Sequence, residues 1–360
     1  MDKFNIYLRR DGRWEGRMWL SKYEDGRRKY RAFFGKTKEE VQAKMAETRK
    51  KLFSAAEVSC SLSELFTEWH QKISHTVKES TAANYLMKAT KHILPFFGDK
   101  SVDYISSEDV YAFISEKKND GLSDRYIFDI IILLKSMFKF AVRKYKIANP
   151  MEDVSVKRTK TPEISLLDNA ERMKLERYIQ EHPNRTTMGI ALAKSTGLRI
   201  GELCALRWGD IDLEKRILTV RHTIQRIQTP KGIKRTKLVI TEPKSESSKR
   251  KIPIPEFLID FLRKFRGKAE EFVLSGKTKP TEPRTMQYRF ARILKKVGLP
   301  SVHFHALRHI FASACVGLGF DVKALSEILG HSSVEITLNR YVHSSFEQKM
   351  EYMSRLKPAI

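Results

Sequence analysis

Arg199 stands in the run Thr-Gly-Leu-Arg199-Ile-Gly-Glu202-Leu, after a glycine turn and at the start of an apolar helix. A guanidinium set among Leu198, Ile200, Leu203 and Leu206 must find an anion or a carboxylate. Glu202, one turn on, is a candidate structural partner. A second polar cluster, His303-Phe-His305-Ala-Leu-Arg308-His309, opens an otherwise apolar helix. A third, Leu-Gly-His331-Ser-Ser, precedes a further helix, and Asn339-Arg340-Tyr341-Val342 closes that helix. Two Arg, two His, one Lys and one Tyr suit a phosphodiester. Paired guanidiniums match its two non-bridging oxygens and stabilise the charge that develops on them. Lys or His can give a proton to the leaving oxygen. Tyr341, as nucleophile, would store the bond energy in a covalent phosphotyrosine, so that neither metal nor ATP is needed. The i, i+4 pair His305 and His309 also has zinc-binding spacing. No cysteine or carboxylate joins it nearby, and no metal or cofactor is expected. Taken singly, Arg199 with Glu202 is an ordinary ion pair, and Tyr341 an ordinary packing residue.

These residues need a scaffold, and the chain reads as three blocks. In residues 1–57, alternating segments near Phe4–Arg10, Gly16–Lys22 and Arg28–Phe34 are separated by Asp11-Gly12 and Asp25-Gly26, a strong hairpin pattern. Thr37 with Glu40 then opens a helix to about Phe53 that turns Val41, Met45 and Leu52 toward the sheet. Its open face would offer Arg9, Arg17, Arg28 and Arg31 beside Trp14, Trp19 and Tyr30, a face suited to a DNA groove. Residues 58–155 read as a helical bundle. Helices open at Ser61, at Ser80-Thr81 (ending before Pro95), at Ser107 and after Gly121, and Asn149-Pro150 stops the last. The run Val156–Pro162 is basic and poor in apolar residues, which marks a linker. Residues 163–360 mix helices near 168–181, 185–196, 200–206, 255–266, 284–297, 304–317, 322–328 and 333–341 with strands at 216–220, 235–240 and 250–254. The fold class is therefore α+β and multidomain: a three-stranded sheet with a helix, a helical bundle, then a mostly α domain with a small β-sheet.

Composition narrows the function. Lys and Arg number 68 against 43 Asp and Glu, a formal charge of +25 over 360 residues. A chain this basic suits a polyanionic partner. From Lys231 to Lys251 there are eight basic and two acidic residues, a loop fitted to lie against phosphates. Cys60, Cys204 and Cys315 lie far apart, which excludes a CxxC zinc finger and fits a reducing cytoplasm. The start lacks a secretory h-region, and the most apolar stretch, Ile127 to Val142, carries Asp129, Lys135 and Lys139, so no membrane association is expected.

In order and spacing the four motifs resemble the tyrosine recombinase, or phage integrase, family: Thr-Gly-Leu-Arg199-Ile-Gly-Glu202-Leu, His305-Ala-Leu-Arg308-His309, Leu-Gly-His331-Ser and Arg340-Tyr341. Lys244, in Pro-Lys-Ser-Glu-Ser-Ser-Lys-Arg-Lys-Ile-Pro-Ile, is similar to the family's hairpin lysine. The resemblance implies an arm-type DNA-binding domain at 1–57, a helical SAM-like core-binding domain at 58–155 and a catalytic domain at 163–360. It implies that Tyr341 attacks the scissile phosphate and frees a 5′-hydroxyl, that Arg199 and Arg308 clamp the non-bridging oxygens, and that Lys244 protonates the leaving oxygen. His305 and His331 would assist at the phosphate, Glu202 would orient Arg199, and His309 would act from behind them. It further implies double-stranded attachment sites, a tetramer on DNA with the segment Phe346–Leu356 docking on a neighbour, an excisionase, and a host DNA-bending protein. Two positions depart from the family pattern: Ala306 replaces a frequent Asp and Ile310 a frequent Thr. A type IB topoisomerase and a non-catalytic DNA-binding protein are the alternatives. The separate N-terminal block argues against the first, and the complete residue set against the second.

Overall fold

The computed structural model describes residues 5–9, 11–22, 28–53, 60–156, 166–229, 236–243, 246–341, 350 and 353–354. The chain divides into two compact units, Met1–Lys160 and Thr161–Ile360. The linker expected at Val156–Pro162 lies, from residue 157, outside the described residues, as does the Asp25-Gly26 turn. The same holds for Phe346–Leu356, apart from Met350, Met353 and Ser354.

The first unit opens with strands β1 (Asn5–Leu8), β2 (Trp14–Lys22) and β3 (Arg28–Gly35) in an antiparallel meander. Gly12 turns the first hairpin at φ +78°. Helix α1 (Lys38–Phe53) covers one face through Val41 and Met45, both fully buried against Phe33. Gly16 admits that approach, because a Cβ there would meet Met45 Sδ at 2.4 Å.

The helical part of this unit comprises α2 (Leu62–Ser74), α3 (Glu79–Lys88), α4 (Leu94–Phe97), α5 (Ser107–Asn119) and α6 (Asp124–Tyr145). Ser61–Glu64 and Ser106–Asp109 form reciprocal capping boxes, so the third helix starts one residue inside the cap at Ser106. The expected stop before Pro95 does not occur. A π-helical stretch, Ala89–Ile93, carries the chain into α4, which places Pro95 in a first turn, where a missing N–H is tolerated. Helix α6 ends at Tyr145 on a left-handed Lys146 (φ 58°), before Asn149-Pro150. Ile127, Ile130, Leu134, Met137 and Phe138 form its buried stripe against Leu65, Phe97 and Phe113.

The second unit contains α7 (Asn169–Glu181), α8 (Arg185–Thr196), α9 (Ile200–Ala205), β4 (Ile211–Asp212), β5 (Ile217–Val220), β6 (Thr223–Gln228), β7 (Thr236–Thr241), β8 (Arg250–Pro253), α10 (Ile259–Arg263), α11 (Pro283–Val297), α12 (Ala306–Gly317), α13 (Val322–Leu329) and α14 (Val334–Tyr341). Strands 235–240 and 250–254, expected from the sequence, are present as β7 and β8 but pair with different partners. β8 joins β5 and β4, while β7 pairs with β6. Strand β6 was not expected. Its two buried residues, Ile224 and Ile227, are three apart and break the period-two pattern. The helix expected over 255–266 shortens to a 3₁₀ turn and α10. One core gathers α8, α9, β5, β8, α11 and the start of α12. A smaller cluster joins Ala312, Cys315, Leu325, Leu329 and Tyr341. Among the described residues no helix is long and apolar enough to cross a membrane.

Deep in the helical part, His92 is buried in the π-helical stretch, edge-on to Tyr126, with no hydrogen-bond partner for Nε2 among the described residues. Burial, then the charges of Lys91 and Lys117, hold its imidazole below the usual value against the opposing pull of Asp120. The folded chain therefore favours the neutral ring, and stability is lost as pH falls from about 6.5 toward the depressed value. Thermal unfolding from pH 7.5 to 5.5 should show a steeper loss in the wild type than in His92→Gln; parallel slopes would contradict this account.

Candidate active site

Helix α8 ends on Gly197 in a left-handed turn (φ +64°), and the chain re-enters a helix at Arg199, the N-cap of α9. A Cβ at Gly197 would meet Phe311 at 2.6 Å and Leu329 at 2.8 Å, so the turn packs tightly on α12 and α13. Glu202 returns its carboxylate to the Arg199 backbone N–H, which donates at 3.0 Å. The local pattern thus sets Arg199 and Glu202 side by side, and Arg199 Nη1 donates to Glu202 Oε1 at 2.8 Å.

The end of α13 organises the rest. Gly330 (φ +65°) and His331 close the helix with N–H groups bonded to Glu327 and Ser326 carbonyls. That leaves the carbonyls of Ile328, Leu329 and Gly330 to be satisfied. Each accepts from a different guanidinium: Ile328 from Arg250 Nε at 2.5 Å, Leu329 from Arg308 Nη2 at 2.7 Å, and Gly330 from Arg199 Nη2 at 2.9 Å. Arg308 Nη1 also donates to Gly197 O at 2.7 Å, which ties both glycine turns to one side chain. The negative end of the helix dipole adds to each of these bonds.

Arg199, Glu202, His305, Arg308 and His331 line one cleft of about 680 Å³, with Thr223, Ser248 and Ser332. His305 is exposed at the N-cap of α12. His331 Nδ1 lies 2.8 Å from Thr337 Oγ1 on α14, a buried residue. His309 is buried, its ring 5.0 Å from that of His305 and 5.3 Å from that of Tyr341. Tyr341 is 8 % exposed and packs in the small α12–α13 cluster, its ring parallel to His331 at 6.3 Å. It is thus set beside the cleft, behind the histidines. Lys244 lies outside the described residues; Pro243, its neighbour in sequence, lines the cleft. Ala306 and Ile310, the two departures, are buried in the main core and leave no polar group there.

Arg250 was not anticipated. It forks onto Glu202, Nη1 to Oε1 at 3.1 Å and Nη2 to Oε2 at 2.9 Å. It was lost among the eight basic residues of its region. Strand alternation carries the missing information, because Arg250 shares the inward face of β8 with buried Ile252, and an inward arginine requires a carboxylate. Burial alone would raise the Glu202 carboxyl, but the Arg250 hydrogen bond and the Arg250 and Arg199 charges outweigh it and hold it below the usual range. Burial first, then the nearby Arg199 and Arg250 charges, push Arg308 down to about 9, and it stays cationic at neutral pH. Among the described residues, three guanidiniums around the one carboxylate that lines the cleft leave a surplus of about two positive charges, which suits an oxyanion.

The N-terminal sheet divides its expected arginines. By register, Arg9 and Arg17 lie on the face away from α1, with Tyr7 and Phe34, around Glu15. Arg17 sits 5.6 Å from the Tyr7 ring and Arg9 5.5 Å from the Phe34 ring. Arg31 does not share that face. It is paired with Met18, two residues along β2 from Gly16, and stacks near Phe33, on the side that α1 covers. Side-chain alternation in β3 is the reason, so the four arginines expected on one face do not all share it. The side chains of Trp19 and Arg28 lie outside the described residues.

Fold and site together define a domain in which Arg199 and Arg308, fixed on one helix end, line a single cleft, with Tyr341 on α14 beside it. The phage integrase family model matches residues 165–348, and its N-terminal SAM-like domain matches residues 61–118; the chain belongs to this family. A tyrosine recombinase XerC-like protein of Caldanaerobacter subterraneus is 29% identical over 369 residues, covering 94% of each chain. The transposase from transposon Tn916 of Enterococcus faecalis is 24% identical over 347 residues, 88% of this chain and 83% of that protein. The Tn1549 transposon integrase, solved in complex with a circular intermediate DNA, superposes with a TM-score of 0.68 at 27% identity, covering 83% of this chain and 100% of that one. A lambda integrase dimer bound to a core site shares the fold at 19% identity, with a TM-score of 0.61 over 100% of this chain and 99% of that one.

Gly330 tests the keystone role of the α13 terminus. A Cβ would meet Arg250 Cδ, Arg250 Nη1 and Ser247 O, each at 3.0 Å. Gly330→Ala should destabilise the second unit by about 1–2 kcal/mol from the left-handed backbone alone, read as a lowered thermal midpoint.

Proposed function

We propose that this protein is a site-specific recombinase that cuts and rejoins double-stranded DNA through a 3′-phosphotyrosyl intermediate, and so integrates and excises a mobile element. The observation that carries the reading is the pair Arg199 and Arg308, pinned to adjacent carbonyls of α13 with unneutralised charge between them and Tyr341 beside them. Two guanidiniums held on one rigid turn match the two non-bridging oxygens of a phosphodiester, and their placement in advance avoids reorganisation when charge develops.

In this reading Tyr341 Oη forms a bond to phosphorus while the bond to the 5′-oxygen breaks. Lys244 gives that oxygen its proton. His331, oriented through Thr337, and His305 hydrogen-bond the phosphate and take part in moving the tyrosine proton, while His309 supports the two rings from behind. A 5′-hydroxyl from a partner strand then attacks the phosphotyrosine and restores Tyr341. One ester is exchanged for another, so no ATP is needed, and the guanidiniums carry the charge stabilisation that a metal would otherwise supply. Tyr341 must turn out of the Cys315–Leu325 cluster before it can reach in-line distance. Residues 1–57 serve as an arm-binding module, 58–155 as the core-binding module and 163–360 as the catalytic domain. The Arg9–Arg17 face of the sheet contributes to arm binding. Binding two DNA sites through separate modules raises local concentration, a need that DNA relaxation alone does not create. Four protomers, an excisionase and a host DNA-bending protein complete the assembly, which works in the cytoplasm.

Nicked duplexes with a random central sequence test the chemistry, since a short piece diffuses away and traps the covalent product. Wild type should yield protein-linked DNA and Tyr341→Phe none; equal yields would remove Tyr341 as nucleophile, and none from either would favour a non-catalytic DNA-binding protein. Affinity should also fall steeply with salt, about 10³-fold or more from 50 to 200 mM if six or more phosphates are neutralised. A flat response would contradict the charge argument.

A further inference from the structure

We infer that Arg250 is a positioning residue for strand cleavage: it neutralises Glu202 so that Arg199 can present its charge to the phosphate. This rests on the recombinase reading. The Arg250 side chain is 6% exposed and is not part of the cleft lining. Four of its five N–H groups are committed: Nη1 and Nη2 to Glu202, Nη1 again to Ser248 O at 3.1 Å, and Nε to Ile328 O. Arg250 therefore cannot clamp the substrate itself. Arg199 differs, with a side chain 36% exposed on the cleft.

Glu202 couples the two arginines. Its Oε1 accepts from Arg199 Nη1 and Arg250 Nη1, and its Oε2 from Arg250 Nη2 and the Arg199 backbone. A buried carboxylate shared in this way divides its charge between both guanidiniums. Without Arg250 the whole charge falls on Arg199 at 2.8 Å and offsets the field meant for the phosphate. Arg250 also fastens the start of β8, where the connection that carries Lys244 ends, to the turn that leads into His331. At residue 330 a Cβ would press on Arg250 Cδ and Nη1 at 3.0 Å, and the backbone there has φ +65°. Arg250 thus acts through Glu202 on charge, and through Ile328 on geometry.

A pair of substrates separates charge positioning from general support. The probe is a nicked duplex trapped by the wild type, with its scissile group either a phosphodiester or an uncharged methylphosphonate. Arg250→Met should slow covalent capture of the phosphodiester by about 100-fold, the scale of one lost transition-state donor, and capture of the methylphosphonate by less than about 5-fold. Adding Glu202→Gln to Arg250→Met should recover at least about tenfold on the phosphodiester, because no lone charge is then buried. Arg250→Lys, which keeps charge without the fork, should fall between Met and Arg. Equal slowing of both substrates with no recovery in the double variant would overturn the inference and leave Arg250 a structural brace. If Arg250→Met does not fold, Arg250→Lys with and without Glu202→Gln carries the same comparison. Unchanged rates in the folded variants would overturn the inference alone. No adduct from the wild type on any duplex would overturn the recombinase reading and the inference with it.

Discussion

The last turn of α13 offers three carbonyls that its own helix cannot use, and three arginines from three different elements satisfy them. The charged residues that converge on the cleft of the second unit are tied to this junction. Arg199 comes from the N-cap of α9, Arg250 from β8 and Arg308 from α12. Each buried guanidinium needs acceptors, and each buried carbonyl needs a donor. The junction answers both requirements at once, and it leaves Arg199 with donors toward the cleft. His331 follows directly, so the same turn that fixes the arginines also sets the imidazole.

Charge balance explains why this site tolerates three close cations. Glu202 cancels one, and hydrogen bonds to carbonyls spread part of the rest. Burial and its cationic neighbours push Arg308 down to about 9. On the proposed reading, a surplus of this kind favours a ligand whose negative charge grows along the reaction, as in phosphoryl transfer. The apolar residues at 306 and 310 fit the same scheme. Both lie on α12 in the main core and bring no charge of their own to the site.

The first unit solves a different problem. Its small sheet cannot bury two faces, so α1 covers one and the other is left to Arg9, Arg17, Tyr7 and Phe34 around Glu15. Glu15 is buried between its two arginines and pairs with both.

Much of the molecule was legible in its residues. The capping box at Ser61, glycine turns at 12 and 197, and the apolar stripe of α6 are local, short-range patterns, and they set most helix positions to within a residue or so, as at Ser107, where the cap falls on Ser106. The arginine, histidine and tyrosine motifs pointed to the candidate site for the same reason, since residue type and spacing are written directly in the chain. Three things were decided only by tertiary structure. Strand β6 and the pairing of β7 and β8 with different partners follow from packing, because two isoleucines three apart carry no strand period. The separation of Arg31 from Arg17 follows from register across two strands. The role of Arg250 follows from contacts with residues 48 and 78 positions away, and the arginine junction itself spans up to 131 positions. Periodicity and capping act within a few residues, whereas the partner of a buried charge is chosen by the whole fold.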